Sequence, residues 1–299
     1  MMGYKMKQSV AIFGEILFDH FPDGTQVLGG APFNVAWHLQ ALNIQPLLIS
    51  SIGNDNLSYK IQVTLKQWGI SQIGIQIQPQ YSTGQVQVTL EDNQPRFSIP
   101  PNQAFDFIEK KQLVDIRQCE LLYHGSLALR HHTARKAFRA LLRYKKPIFI
   151  DVNLRHPWWG KREVLQYLQQ ATWAKLNQEE LEHLSPITIG ANLEQKIRAL
   201  AQCCRLEWLV ITLGDKGAIG LDEYQNLIRI PPSRKVTVVD TVGAGDSFSA
   251  ILLLGLLKKW SLTKTLKHAQ YFAESLVQIR GGTCSDKSLY QHFYQNILT

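Results

Sequence analysis

The run Val238-Val239-Asp240-Thr241-Val242-Gly243-Ala244-Gly245-Asp246-Ser247-Phe248 gathers residue types that can do chemistry together. It reads as a strand end that enters a glycine-rich turn and then a helix. Gly243, Ala244 and Gly245 let backbone N–H groups converge at the helix N-terminus, where the partial positive charge of the helix holds phosphate oxygens. Asp246 falls in the first helical turn, where a carboxylate aimed at the same place accepts the proton of an attacking hydroxyl. A Gly-x-Gly-Asp tetrapeptide by itself fits equally well a helix that an aspartate merely caps. The GxxxxGK[ST] pattern is absent, which excludes a P-loop.

The elements that must position this segment are legible from residue patterns. A short β-branched and aromatic run predicts a strand over 10–14, and helices are predicted over 34–42, after the Gly29-Gly30 turn, and over 57–68, stopped by Gly69. A strand is predicted over 47–52. Between 72 and 99 apolar and polar residues alternate, as in Gln85-Val86-Gln87-Val88-Thr89-Leu90, with a polar turn at Glu91-Asp92-Asn93. One buried and one wet face suits a lid better than the middle of a parallel sheet. Further strands are expected over 121–123, 147–152 and 208–213. Helices are expected over 133–144, 163–170, 179–184 and 193–203. A hairpin over 218–230 and helices over 244–260 and 262–279 close the chain.

Repeated strand–helix units predict an α/β fold with a mostly parallel central sheet and helices on both faces. We expect one domain over 1–299, with a small β lid from about 17–30 and 82–102. In such folds ligands sit at the carboxyl ends of strands, so residues just after strands carry most weight. Arg155 is one of these. Its guanidinium has the geometry to hold a phosphate or sugar oxygen, and a surface salt bridge is the alternative use.

The full string Asp240-Thr-x-Gly-Ala-Gly-Asp246 resembles the signature of the ribokinase-like (PfkB) carbohydrate kinase family, which it matches without departure. The resemblance extends over essentially the whole chain. Gly14-Glu15-Ile16-Leu17-Phe18-Asp19 and Gly29-Gly30-Ala31-Pro32-Phe33-Asn34 resemble the sugar-binding motif in its fructokinase form. Ala104-Phe105-Asp106-Phe107, Gly125-Ser126-Leu127 and Asp151-Val152-Asn153-Leu154-Arg155 are similar to bacterial-type fructokinases. The resemblance implies transfer of the γ-phosphoryl group of ATP to a hydroxymethyl group of a small sugar. D-fructose, giving fructose 6-phosphate, leads over ribose, 2-keto-3-deoxygluconate and nucleosides. It implies that Asp19, Gly29, Gly30, Asn34 and Arg155 bind the sugar with Asp246 as base, Gly243, Ala244 and Gly245 forming the anion hole.

Asn177 and Glu180 resemble the family's Asn-x-x-Glu element, which places Mg²⁺ through water. As bare residues, Glu179 and Glu180 also simply favour a helix start. Thr212-Leu213-Gly214-Asp215-Lys216-Gly217 resembles the nucleotide-binding turn, so Asn177, Thr212, Gly214, Gly217, Gly243 and Gly245 are the expected contacts of ATP. Carbonyls near Asp240 and Val242, with the loop 280–283, are where some relatives hold a monovalent cation such as K⁺. Cys284 and Ser285 depart from the proline-rich run common there. The different-class alternative is a protein that keeps the fold as a sugar or nucleotide sensor without turnover.

Composition narrows the partners. At 299 residues the chain is long enough for a sizeable core, and 45% hydrophobic with 19% charged residues is ordinary for a globular protein. The net charge of +8 comes from scattered Lys and Arg without a stripe, so no nucleic-acid partner is expected. The longest apolar run, over 250–257, is too short for a bilayer span and no membrane partner is expected. Cys119, Cys203, Cys204 and Cys284 lack metal-ligand spacing and read as reduced thiols of a cytoplasmic protein. Val86, Val88 and Leu90 offer an apolar lid face that could pair with its copy in a homodimer.

Overall fold

The computed structural model describes residues 9–91, 94–187 and 190–298. The chain packs as two compact units, one taking Met1–Glu120 and Ala128–Lys145, the other Leu121–Leu127 and Lys146–Thr299.

In the first unit, β1 (Val10–Phe13), β4 (Pro46–Ile52) and β5 (Ile75–Ile77) pair in parallel in the order β1-β4-β5. β1 and β4 are buried along their whole length, as continuous apolar runs in parallel sheets require. A second sheet runs in the order β3-β2-β6-β7, from β2 (Leu17–His20), β3 (Gln26–Gly29), β6 (Gly84–Glu91) and β7 (Gln94–Ser98). Its alternation is as expected: Val86 and Val88 are buried while Gln87 and Thr89 are exposed. The apolar face that the sequence offers to a second copy is therefore covered, at Val86 and Val88, within the chain itself. Asp92 and Asn93 of the expected turn, and the Leu90 side chain, lie outside the described residues.

Three helices complete this unit: α1 (Ala31–Ala41), α2 (Asn56–Trp68) and α3 (His132–Leu141), the last followed by a 3₁₀ turn at Leu142–Tyr144. Asp55 caps α2 in a capping box with Ser58, and the same carboxylate accepts the Thr83 N–H (2.8 Å) and hydroxyl (2.7 Å) just before β6. Burial disfavours its charge, but these bonds outweigh that and hold its pKa below the usual carboxylate range. Trp37 of α1 and Trp68 of α2 stack at 4.0 Å between centroids.

In the second unit β8 (Leu121–His124), β9 (Ile148–Asp151), β10 (Trp173–Asn177) and β11 (Trp208–Thr212) are parallel neighbours. β12 (Ala218–Leu221) and β13 (Leu227–Ile230) form the expected hairpin and extend this sheet antiparallel from β11. The helices are α4 (Lys161–Leu168), α5 (Gln178–Leu184), α6 (Leu193–Cys204), α7 (Ala244–Leu257), α8 (Leu262–Leu276) and α9 (Lys287–Leu298). α7 is buried all round through Leu252 to Leu254 and packs along α8.

Three expectations need correction. The β-branched run ending at Asp240 is not a strand: Val238 and Val239 are 56% and 60% exposed, and the N–H groups of Val239 and Asp240 donate to the Val277 carbonyl at the end of α8. β10 was not expected, because Lys175 interrupts its apolar run. The helix over 262–279 does not close the chain: α9 follows, anchored by Tyr290 and Phe293, three residues apart and both 2% exposed.

Candidate active site

The candidate residues divide between the two units. In the first, Asp19 and Gly29 lie on the antiparallel neighbours β2 and β3, and Gly30 is the N-cap of α1. Gly30 has φ 104°, and a β-carbon there would sit 2.7 Å from the Glu15 carbonyl. Both facts demand glycine. Asn34 stands one turn into α1, 5% exposed, with its N–H on the Gly30 carbonyl (2.9 Å). The hairpin and the helix start thus bring Asp19, Gly29, Gly30 and Asn34 onto one short stretch of structure.

In the second unit, three parallel strands end side by side. Asp151 on β9 is the cross-strand partner of Lys175 on β10, and Asn177 on β10 is the partner of Thr212 on β11. Arg155 follows β9 and is exposed. Gly214 and Gly217 bracket the turn after β11, both at positive φ. Glu180 is 6% exposed, and its two oxygens accept the N–H groups of Leu154 (2.7 Å) and Asn177 (2.8 Å). One carboxylate thereby ties the segments that follow β9 and β10. Burial raises its pKa, with the Asp151 charge adding, against those two hydrogen bonds.

The glycine-rich turn has the expected form. Gly243, at φ 76°, is the N-cap of α7, and Asp246 is in its first turn, half-buried. Gly243 rather than Asp246 occupies the capping position. The Ala244 N–H donates back to the Thr241 carbonyl (3.3 Å), so this expected anion-hole donor is engaged within the turn itself. Asp240 braces the approach, accepting the N–H groups of Val242 (3.0 Å) and Gly281 (2.9 Å). The loop over 280–283 is therefore beside Asp240.

Lys175 and Ser249 were missed. The Lys175 Nζ donates to Asp151 Oδ2 (2.7 Å) and to the Gly245 carbonyl (2.9 Å), and the Ser249 hydroxyl donates to the same Asp151 oxygen (2.7 Å). Lysine two residues before Asn177 was visible, but its partner lies 24 residues away and no local pattern reveals the pair.

No group of three or more His, Cys, Asp or Glu among the described residues is arranged to hold a metal. Asn177 and Glu180 are already bonded to each other's backbone in a capping box. Their remaining lone pairs suit the water shell of a hard cation that arrives with a nucleotide, not direct ligation. Among the described residues no helix is long and apolar enough to cross a membrane.

The model of the pfkB family carbohydrate kinases matches residues 8–288. Fructokinase-2 of Zea mays is 28% identical over 307 residues, covering 93% of this chain and 88% of its own. The structure of a fructokinase from Xylella fastidiosa with bound ATP superposes with a TM-score of 0.85 at 21% identity, covering 98% of this chain and all of the other. A double mutant of fructokinase from Vibrio cholerae O395, bound to fructose, ADP and a potassium ion, gives 0.82 at 24%, covering 95% and 98%. These neighbours share the α/β architecture of parallel strands and helices with an added antiparallel sheet. With a glycine turn, an aspartate in the first turn of α7 and a family match across nearly its whole length, the chain belongs to the pfkB family of carbohydrate kinases.

Proposed function

We propose that this sugar kinase transfers the γ-phosphoryl group of ATP to a hydroxymethyl group of D-fructose, giving fructose 6-phosphate. The observation that carries the reading is Asp246, which follows the Gly243 N-cap in the first turn of α7, where helix charge and carboxylate meet. The hydroxyl oxygen attacks the γ-phosphorus as the bond to the β–γ bridging oxygen breaks. Asp246 takes the hydroxyl proton, and ADP leaves. In this reading the Gly243 and Gly245 N–H groups face the negative charge on the transferring group, and Arg155 supplies a further donor. Asp19 and Asn34 order the sugar hydroxyls, with Gly29 and Gly30 allowing close approach.

Mg²⁺ bound with the nucleotide would neutralise phosphate charge, its waters held by Asn177 and Glu180. Thr212, Gly214 and Gly217 line the turn assigned to ATP. K⁺ beside Asp240 and Val242 belongs to the same reading, supported by the Asp240–Gly281 hydrogen bond and by the potassium in the Vibrio cholerae structure. Fructose is supported by the Zea mays and bacterial fructokinases. We place the protein in the cytoplasm, in keeping with four cysteines that form no disulfide among the described residues. If two lids pair in a homodimer, their exposed Gln87 and Thr89 face is the one at hand, and light scattering against concentration reads it.

The test is a coupled ADP-release assay with Mg-ATP and fructose, ribose, 2-keto-3-deoxygluconate, adenosine or glucose. Turnover with fructose is expected. Turnover with another acceptor alone keeps the reaction and overturns the substrate, and nucleotide binding without turnover of any acceptor turns the reading to a sensor.

A further inference from the structure

Lys175 breaks the usual electrostatics of a helix. A helix N-terminus favours negative charge, yet this ammonium is buried, 5% exposed, against the first turn of α7. It is tolerated because Asp151 lies opposite it across β9 and β10, with Nζ and Oδ2 at 2.7 Å. A buried ion pair adds little net stability compared with apolar side chains of the same shape, so its presence points to a role other than stability.

The geometry defines that role. Nζ holds the Gly245 carbonyl at 2.9 Å, and the carboxylate it pairs with accepts the hydroxyl of Ser249, one turn further along α7. The pair therefore grips α7 at two points that bracket Asp246. The Gly245 carbonyl and the Asp246 N–H belong to one planar trans peptide and point in opposite directions. Holding the carbonyl fixes the direction of that N–H and the Cα from which the Asp246 carboxylate projects.

We propose that Lys175 is a positioning residue for phosphoryl transfer, with Asp151 and Ser249 as its supports; this rests on the kinase reading above. The first variant is Lys175→Met combined with Asp151→Asn, which removes both charges and leaves a group for Ser249 to donate to. Its thermal midpoint is expected within a few degrees of wild type and its KM for sugar within about threefold, while kcat falls about 100-fold, the scale of a misplaced reacting group. A pair that merely stabilised the fold would not produce that split.

The second variant, Lys175→Arg, retains the charge and a partner for Asp151 but cannot keep a point donor at the Gly245 carbonyl. It is expected to fold and to lose kcat by at least tenfold. Titration of both variants with ADP and with a non-hydrolysable ATP analogue should show a reduced preference for the γ-phosphate. Wild-type kcat and wild-type preference in both variants overturn the proposal alone. A wild-type protein that binds neither nucleotide and turns over no acceptor overturns the kinase reading, and the proposal with it.

Discussion

Gly243 packs directly on Gly282: a β-carbon on Gly243 would overlap the Gly282 Cα, and its φ of 76° already lies where L side chains are strained. The glycine turn before α7 and the C-terminal loop are thus built to backbone contact. Gly243→Ala is expected to lower ATP-dependent turnover at least 100-fold, through displacement of the turn. Gly24→Ala is the control, because Gly24 has a similar φ of 84° with nothing within 4 Å. It should cost about 1 kcal/mol of stability and leave turnover intact. Equal losses in both variants would remove the contact from the explanation.

Asp246→Asn keeps shape and removes the base. A general base contributes about 10²–10⁴ in rate, so kcat should fall by that range with KM for sugar and ATP little changed. Steady-state kinetics with saturating ATP decides it, and a kcat within a factor of three of wild type would exclude Asp246 as the base.

Asp19→Ala removes a carboxylate from the hairpin that carries Gly29. A hydrogen bond to a charged group is worth about 1.5–3 kcal/mol, so KM for the sugar should rise roughly 10- to 150-fold, with KM for ATP unchanged. A rise confined to ATP would move Asp19 out of the acceptor site.

Asp106 and Arg130 form a bidentate pair in the first unit, Nε to Oδ1 at 2.7 Å and Nη2 to Oδ2 at 2.8 Å, with side chains 2% and 4% exposed. Arg130 also donates to the Pro100 carbonyl (2.6 Å) and covers the Phe105 ring. Breaking such a pair from one side leaves a buried charge, so Arg130→Met should cost about 3–5 kcal/mol in urea unfolding. The double variant with Asp106→Leu should recover part of that loss.

His124 is fully buried, its Nδ1–H donating to the Gly125 carbonyl (2.9 Å), and burial lowers its pKa from 6.5 to about 4. The unfolded chain therefore binds the proton more readily than the native one between these values. Stability is fully present above pH 6.5 and is lost as pH falls toward 4, by about 3 kcal/mol for this group. In His124→Gln the midpoint of unfolding should lose that part of its slope between pH 6.5 and 4.

Much of this was legible because local chemistry and the fold agree. The Leu57–Trp68 periodicity followed by Gly69 places α2 to within a residue, and the residue types of Asp240 to Asp246 mark the turn. What escaped was long-range. Val236 to Asp240 has strand propensity but finds the carbonyl of Val277 instead of a neighbouring strand. The strand Trp173–Asn177 hid behind a lysine whose charge is met by Asp151, 24 residues away. α9 escaped too: the reading stopped at the helix over 262–279, although Tyr290 and Phe293 stand three residues apart on what is a helix.

The division of candidate residues has a consequence for how such an enzyme changes. Asp19, Gly29, Gly30 and Asn34 occupy sixteen consecutive positions of the first unit, while Asp246, its glycines, Lys175 and Glu180 all belong to the second. In the proposed reading, the acceptor contacts other than Arg155 and the groups that carry out transfer are therefore written on separate stretches of chain. On that reading, drift or grafting over positions 19–34 is expected to shift the acceptor while leaving the transfer chemistry in place.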